Sequence, residues 1–317
     1  MAGKMEKNFL DPGWMWDKTQ RGRCSAIGWA LVVYILAGNC VQFILMFLAM
    51  NFMPILYSNT VFVWGCSMVS SYGVAFPLFW LLLRGVGAPP MEKRSKLTAM
   101  GYIQAGTAAY AVLFLANAAT LLVLKGLELL LGKGITNPVE GMLDYPWGCS
   151  LVMMCVLAPV TEELMFRRII LRRLLPWGER FSVTASALLF ALIHGNLSQI
   201  PYAFFVGLLL GTVAVYTGSV APTILIHAFV NLLGSGLLMG LGMDEVVSVF
   251  MAAVLLTGIV ALILGRGRFP LHPESRVGRP ADGQFPEGEK WRFFLLNPGM
   301  IFFFVLAVAL ICYYLSL

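Results

Sequence analysis

The chain has 317 residues, 59% hydrophobic and 12% charged, with a mean hydropathy of +0.81 and a net charge of +6. A soluble domain is about 45–50% apolar and about 25% charged, so this composition excludes an ordinary soluble fold and predicts an all-α, polytopic transmembrane helical bundle. The six cysteines, Cys24, Cys40, Cys66, Cys149, Cys155 and Cys312, are scattered and form no CxxC, which argues against a disulfide framework or a zinc knuckle.

A span requires about 20 predominantly apolar residues. Taken in chain order, the candidates are 26–50, 60–83, 99–124, 148–171, 182–197, 200–217, 220–241, 246–264 and 298–316, giving eight to nine spans. The fifth and sixth are short enough to be tilted or enclosed by the bundle. The first run is about 25 residues long, beyond the 7–15 of a signal-peptide core, and reads as a retained span. With this count, 20 of the 22 Lys and Arg fall on one face and only Lys125 and Lys133 on the other. The positive-inside rule then places the N-terminus in the cytoplasm. The positive balance is accounted for as a topology signal, so no nucleic-acid partner is implied. The polar stretch 265–297 reads as a cytoplasmic loop or linker, with His272 solvated on it.

Within the spans the ionisable groups are few. Only Glu162 and Glu163 of the sixteen acids fall well inside one, and two of the three histidines, His194 and His227, do so as well. An acid at bilayer depth costs about 2.5–3.5 kcal/mol even on the lenient insertion scale, so an adjacent pair calls for buried partners and a task. Glu163 has such a partner at i+4 in Arg167, in the favourable order for a helix. Glu162 has none on its own helix face. Phe190 and His194 are four apart, as are His227 and Asn231, so each pair shares a helix face. Counted at about 1.5 Å per residue from the basic ends, Glu162, His194, His227 and Asn231 lie about 10–20 Å deep. That common depth predicts a water-filled cavity, open to the cytoplasm.

The chemistry such a set suits is hydrolysis. A carboxylate held away from bulk water is a stronger base than one in solution, and Glu162 beside His194 is placed to take a proton from a water molecule. His227 and Asn231 can donate hydrogen bonds to a developing oxyanion. Glu and His are also zinc ligands, so a divalent metal such as Zn2+ is compatible with the residue types. HExxH is absent, however, and the spacing does not favour zinc; no cofactor is favoured.

In sequence the groups read EExxxR (Glu162-Glu163-Leu-Met-Phe-Arg167), FxxxH (Phe190 to His194) and HxxxN (His227 to Asn231). This ordered trio resembles the CPBP family, the CAAX protease and bacteriocin-processing or ABI family that includes Rce-type prenyl endopeptidases. The resemblance spans roughly 146–241 and extends to the intervening LLFALIH and GLLLGTVAVYTGSVAPTILIHAFVN. It implies an intramembrane endopeptidase whose catalytic helical core is 146–241. Before it stands 1–145, a cytoplasmic segment and three leading helices. After it comes 242–317, the C-terminal helices with the loop 265–297.

By matched position, Glu162 and His194 would activate water, and His227 and Asn231 would form the oxyanion hole. Glu163 and Arg167 would brace the site, and Phe190 would pack beside His194. Family members often carry Gly after the motif arginine, where this chain has Arg168. The implied partners are a membrane-associated peptide or protein substrate and the lipid bilayer; the lack of organellar signals and the compact chain point to a bacterial plasma membrane. Two other functions suit the same residues: a catalytically silent scaffold or immunity protein of this fold, and a proton-coupled transporter using Glu162 and His194 as a relay. Paired inverted repeats, which would favour the transporter, are not seen.

Overall fold

A computed structural model describes residues 20–89, 91, 95–135, 140–264 and 286–316. Most of the stretch 265–297, with His272 and four of its basic residues, lies outside the described residues, as do Lys4, Lys7, Lys18, Lys93 and Arg94. Among the described residues every regular element is helical. Leaving aside single turns, these are α1 Gln20–Phe52, α2 Thr60–Leu83, α3 Ala99–Leu131, α4 Trp147–Trp177, α5 Glu179–Leu192, α6 Ile200–Thr217, α7 Ala221–Gly234, α8 Asp244–Leu264, α9 Glu287–Leu295 and α10 Pro298–Ser316.

Seven of these, α1 to α4, α6, α8 and α10, are long and apolar enough to cross a membrane. The expected spans 182–197 and 220–241 correspond instead to α5 and α7, of 14 residues each. At 1.5 Å per residue such a helix is about 21 Å long, short of the roughly 30 Å hydrocarbon core. α5 stops before Gly195, which adopts φ 64, and α7 gives way after Gly234 to a turn at Gly236 with φ 83. Both helices are largely buried by their neighbours, which is how short elements are tolerated at bilayer depth. The outer faces of α1, α8 and α10 carry exposed Phe43, Phe52, Val249, Leu264 and Val305, as lipid requires. The protein is an integral membrane protein.

The bundle has two distinguishable ends. At one, the Arg21 guanidinium donates to the Leu296 carbonyl at 3.1 Å, the Gly299 N–H donates to Ser25 Oγ, Arg172 donates to the Pro89 carbonyl, and Arg173 donates to the Leu83 carbonyl. These contacts gather the start of α1, the ends of α2 and α4, and the start of α10. Within 265–297, expected to be a loop throughout, residues 287–295 form α9. Its Trp291 and Phe294, one turn apart, stack edge-on against Phe181 of α5 and so hold a helix where composition alone indicated a linker. Of the 13 described Lys and Arg, ten lie at this end, Arg167 is buried in the bundle, and Lys125 and Lys133 belong to the other. At the opposite end, Trp147 Nε1 donates to the Leu237 carbonyl at 3.0 Å, and Trp64, Met68, Met142 and Tyr145 surround Met153, Met154 and Leu237.

The helices outside 146–241 are part of the same packing. α10 lies along α1, and α3 touches α6, α7 and α8. α8 closes on α3 at Gly258, where a Cβ would sit 2.0 Å from the Thr107 carbonyl oxygen. Small residues allow such close approach in membranes, where dispersion rather than water drives association. Gly258→Val therefore clashes with backbone that cannot swing aside and should cost at least about 1–3 kcal/mol. Thermal unfolding in detergent, followed by size exclusion, should show a lowered midpoint for Gly258→Val and no loss for Gly65→Ala, where nothing lies within 4 Å.

Candidate active site

The site is built on a departure from regular helix. Pro159 has no N–H, so α4 cannot keep its i→i−4 ladder there. The turn before it widens: over Met153–Leu157 the bonding shifts one residue further, and the Ala158 N–H donates to the Met153 carbonyl. The Met154 carbonyl is then without a helical donor, because in this register its partner would be Pro159. Asn231 Nδ2 of α7 supplies the bond at 2.8 Å. A second wide stretch, Leu164–Leu171, follows the glutamate pair, and Ser186 of α5 donates to its Phe166 carbonyl at 2.8 Å. α2 repeats the device, with a wide stretch over Val69–Ala75 just before Pro77. Wide turns of this kind occur often at functional sites.

The two glutamates diverge from this segment. Glu163 has no solvent exposure. Its Oε2 lies 3.2 Å from Arg167 Nε, and its Oε1 lies 3.0 Å from His227 Nδ1. Arg167 is also fully buried, and its guanidinium carbon sits 4.7 Å above the Phe190 ring. A desolvated cation over an aromatic face gains about 2 kcal/mol, which offsets part of its burial. The same ring meets His194 and His227 edge-on at 5.2 and 5.7 Å, and Phe166 at 5.2 Å. Phe190 thus aligns both imidazoles and the guanidinium at once. α6 comes close enough to hold it because Gly207 has no Cβ; one there would lie 3.1 Å from Phe190 Cδ1.

Glu162 points the other way, into a cavity of about 450 Å3. His194, His227 and Asn231 line the same cavity, as does Phe190, while Glu163 and Arg167 lie behind its wall. All seven residues singled out from the sequence therefore meet in one place, four on the cavity surface with Phe190 and two supporting it. The pairing differs from the expectation in one respect. Glu162 Oε2 is 3.7 Å from His227 Nε2, so it does have a neighbour, on another helix. His194 turns its Nδ1 to the Phe190 carbonyl at 2.8 Å, which leaves Nε2 as its free nitrogen. The carbonyl can only accept, so Nδ1 carries a proton, and in the neutral imidazole Nε2 carries the lone pair. Arg168 is exposed and absent from the cavity wall.

The cavity's direction corrects the sequence expectation of an opening on the basic side. Depth counted along a helix does not say towards which end a side chain projects, and these project away from the arginines. Residues of the leading helices also line the cavity and were missed: Ser71 and Tyr72 of α2, and Leu113 and Asn117 of α3. The available signal was polar residues inside apolar spans, with Leu113 and Asn117 four apart on one face.

Catalytic zinc sites have three protein ligands and an open position. Among the described residues no three His, Cys, Asp or Glu side chains converge in that way, since both oxygens of Glu163 are engaged by Arg167 and His227. The donor set does not fit zinc.

Removing one partner of a buried ion pair leaves the other charge uncompensated, at a cost of about 3–5 kcal/mol. Arg167→Ala should therefore lower the unfolding midpoint in detergent far more than Arg168→Ala. Glu163→Gln combined with Arg167→Met should recover much of the loss, and double-mutant analysis of the midpoints measures the coupling.

Residues 146–233 match the Rce1-like family, described as type II CAAX prenyl endopeptidase Rce1-like. The match runs from the residue before α4 to the penultimate residue of α7, and so contains every group on the site's ionic network. Comparison with curated proteins and with solved structures finds no match. The three motifs, their convergence on one cavity and the family match agree: the α4–α7 core of this chain is similar to the CAAX protease family that the Rce1-like model describes.

Proposed function

We propose that the protein hydrolyses a peptide bond of a membrane-associated substrate with a water molecule activated by Glu162, without a metal cofactor. The observation that carries this reading is the single cavity that Glu162, His194, His227 and Asn231 share. Water placed there finds two acceptors, the Glu162 carboxylate and His194 Nε2. Both can take hydrogen bonds from one water and turn its lone pair towards a carbonyl carbon. Glu162 then receives the proton as the O–C bond forms, and can return it to the departing amine.

The oxyanion needs donors on the opposite side. Asn231 Nδ2 spends one hydrogen on the Met154 carbonyl and keeps a second. His227 gives its Nδ1 hydrogen to Glu163, so it donates into the cavity only as an imidazolium, with a second hydrogen on Nε2. Preorganised donors of this kind are worth about 10²–10³ in kcat each.

Purified protein in detergent or liposomes, assayed against peptide and membrane-protein substrates, should cleave. Glu162→Gln and His194→Ala should abolish cleavage at unchanged unfolding midpoint, and Asn231→Ala should lower it by about 10²–10³. Full activity in Glu162→Gln would overturn the assignment. Treatment with a strong chelator should leave the rate unchanged; a loss restored by added Zn2+ would instead make the enzyme metal-dependent.

A further inference from the structure

We infer that substrate reaches Glu162 from the extracytoplasmic side of the membrane, so that the scissile bond lies in an extracytoplasmic segment of a membrane-bound polypeptide. The part concerning the scissile bond rests on the peptidase function proposed above; the access side stands on geometry and charge alone.

Each catalytic-core helix contributes to the cavity only from the half remote from the arginines. α4 supplies Met153, Met154, Ala158 and Glu162 and nothing beyond Glu162. α5 supplies nothing before Phe190, α6 nothing after Val206, and α7 nothing before His227. Glu162, Phe190, Val206 and His227 thus form a floor. Beneath it the bundle is closed: Met165, Phe166, Arg167, Ile170, Leu171 and Leu189 are each at most 1% exposed. A polypeptide approaching from the arginine-rich end meets solid packing.

A second cavity, of about 260 Å3, adjoins the first and shares His194, Ser67 and Ser71 with it. It lies between α1, α2 and α10, with Asn39, Gln42 and Tyr314 in its wall. Those positions fall on the halves of α1 and α10 away from the basic end. The polar space beside the catalytic groups therefore extends in one direction only.

The charge distribution says which side that is. Of the 13 described Lys and Arg, ten lie at the closed end and only Lys125 and Lys133 at the cavity end, with Arg167 inside the bundle. Basic residues in short segments near span ends stay in the cytoplasm. The closed end is then cytoplasmic, and the cavity end extracytoplasmic.

Single cysteines in a background lacking the six native ones test this in intact cells producing the full chain. Asp144→Cys marks the cavity end, Asn117→Cys the cavity wall, and Arg84→Cys the basic end. With a membrane-impermeant maleimide, Asp144→Cys and Asn117→Cys should label to the same extent before and after permeabilisation, and Arg84→Cys only after. The reverse pattern, or Asn117→Cys reached only after permeabilisation, overturns the access side. Protein N-termini present in cells with the wild-type chain and lost in Glu162→Gln should lie in extracytoplasmic segments. Glu162-dependent termini in cytoplasmic segments overturn the substrate class. Absence of any such terminus removes the peptidase reading and the substrate class with it, while the labelling pattern still decides the access side.

Discussion

A carboxylate with no solvent exposure, Glu163, holds the structure of the site together. A charge buried this completely is costly, and it is stable there because α4 supplies Arg167 and α7 supplies His227. That requirement ties α4 to α7 in one register. It sets the orientation of His227, whose Nδ1 must face Glu163 and whose Nε2 must therefore face the cavity. It also places Arg167 over Phe190, and through that ring it sets the positions of His194 and α5. Glu162, the next residue back along the chain, is left free to face the cavity because its neighbour has taken the ionic partners.

The backbone around this network departs from regular helix for an identifiable reason. Proline in a helix removes one donor and crowds the preceding turn. In α4 the resulting wide turn leaves a carbonyl that Asn231 satisfies, so the side chain assigned to the oxyanion hole also repairs the helix it faces. The two tasks are compatible because an amide nitrogen carries two hydrogens. α2 widens before its own proline and turns Ser71 and Tyr72 to the same cavity. Two prolines thus lie on helices that border this space, and the second half of 14-residue α7 and the end of α5 complete its wall.

Separation of the two ends follows from the same construction. Large apolar side chains below Glu162 close the bundle, and the arginines cap it through bonds to the carbonyls of Leu83, Ala88 and Pro89. Basic residues here do structural work as well as marking topology, since they donate to carbonyls at and beyond the end of α2.

Much was legible from the chain alone. Composition determined the class, because a membrane span must be apolar over a length that few soluble segments reach. The scarcity of intramembrane charge singled out Glu162, Glu163, His194 and His227, because such groups are too costly to be incidental. Helical spacing paired Glu163 with Arg167 and His227 with Asn231. Only tertiary structure decided what crosses between helices. Periodicity within one helix carries no information about the rotation of its neighbour, so the bond from Glu163 to His227, the place of Phe190 over Arg167 and the share of α2 and α3 in the cavity were not readable. Nor was the direction in which the cavity opens, because residue counts measure depth along an axis while packing sets which end of it is filled.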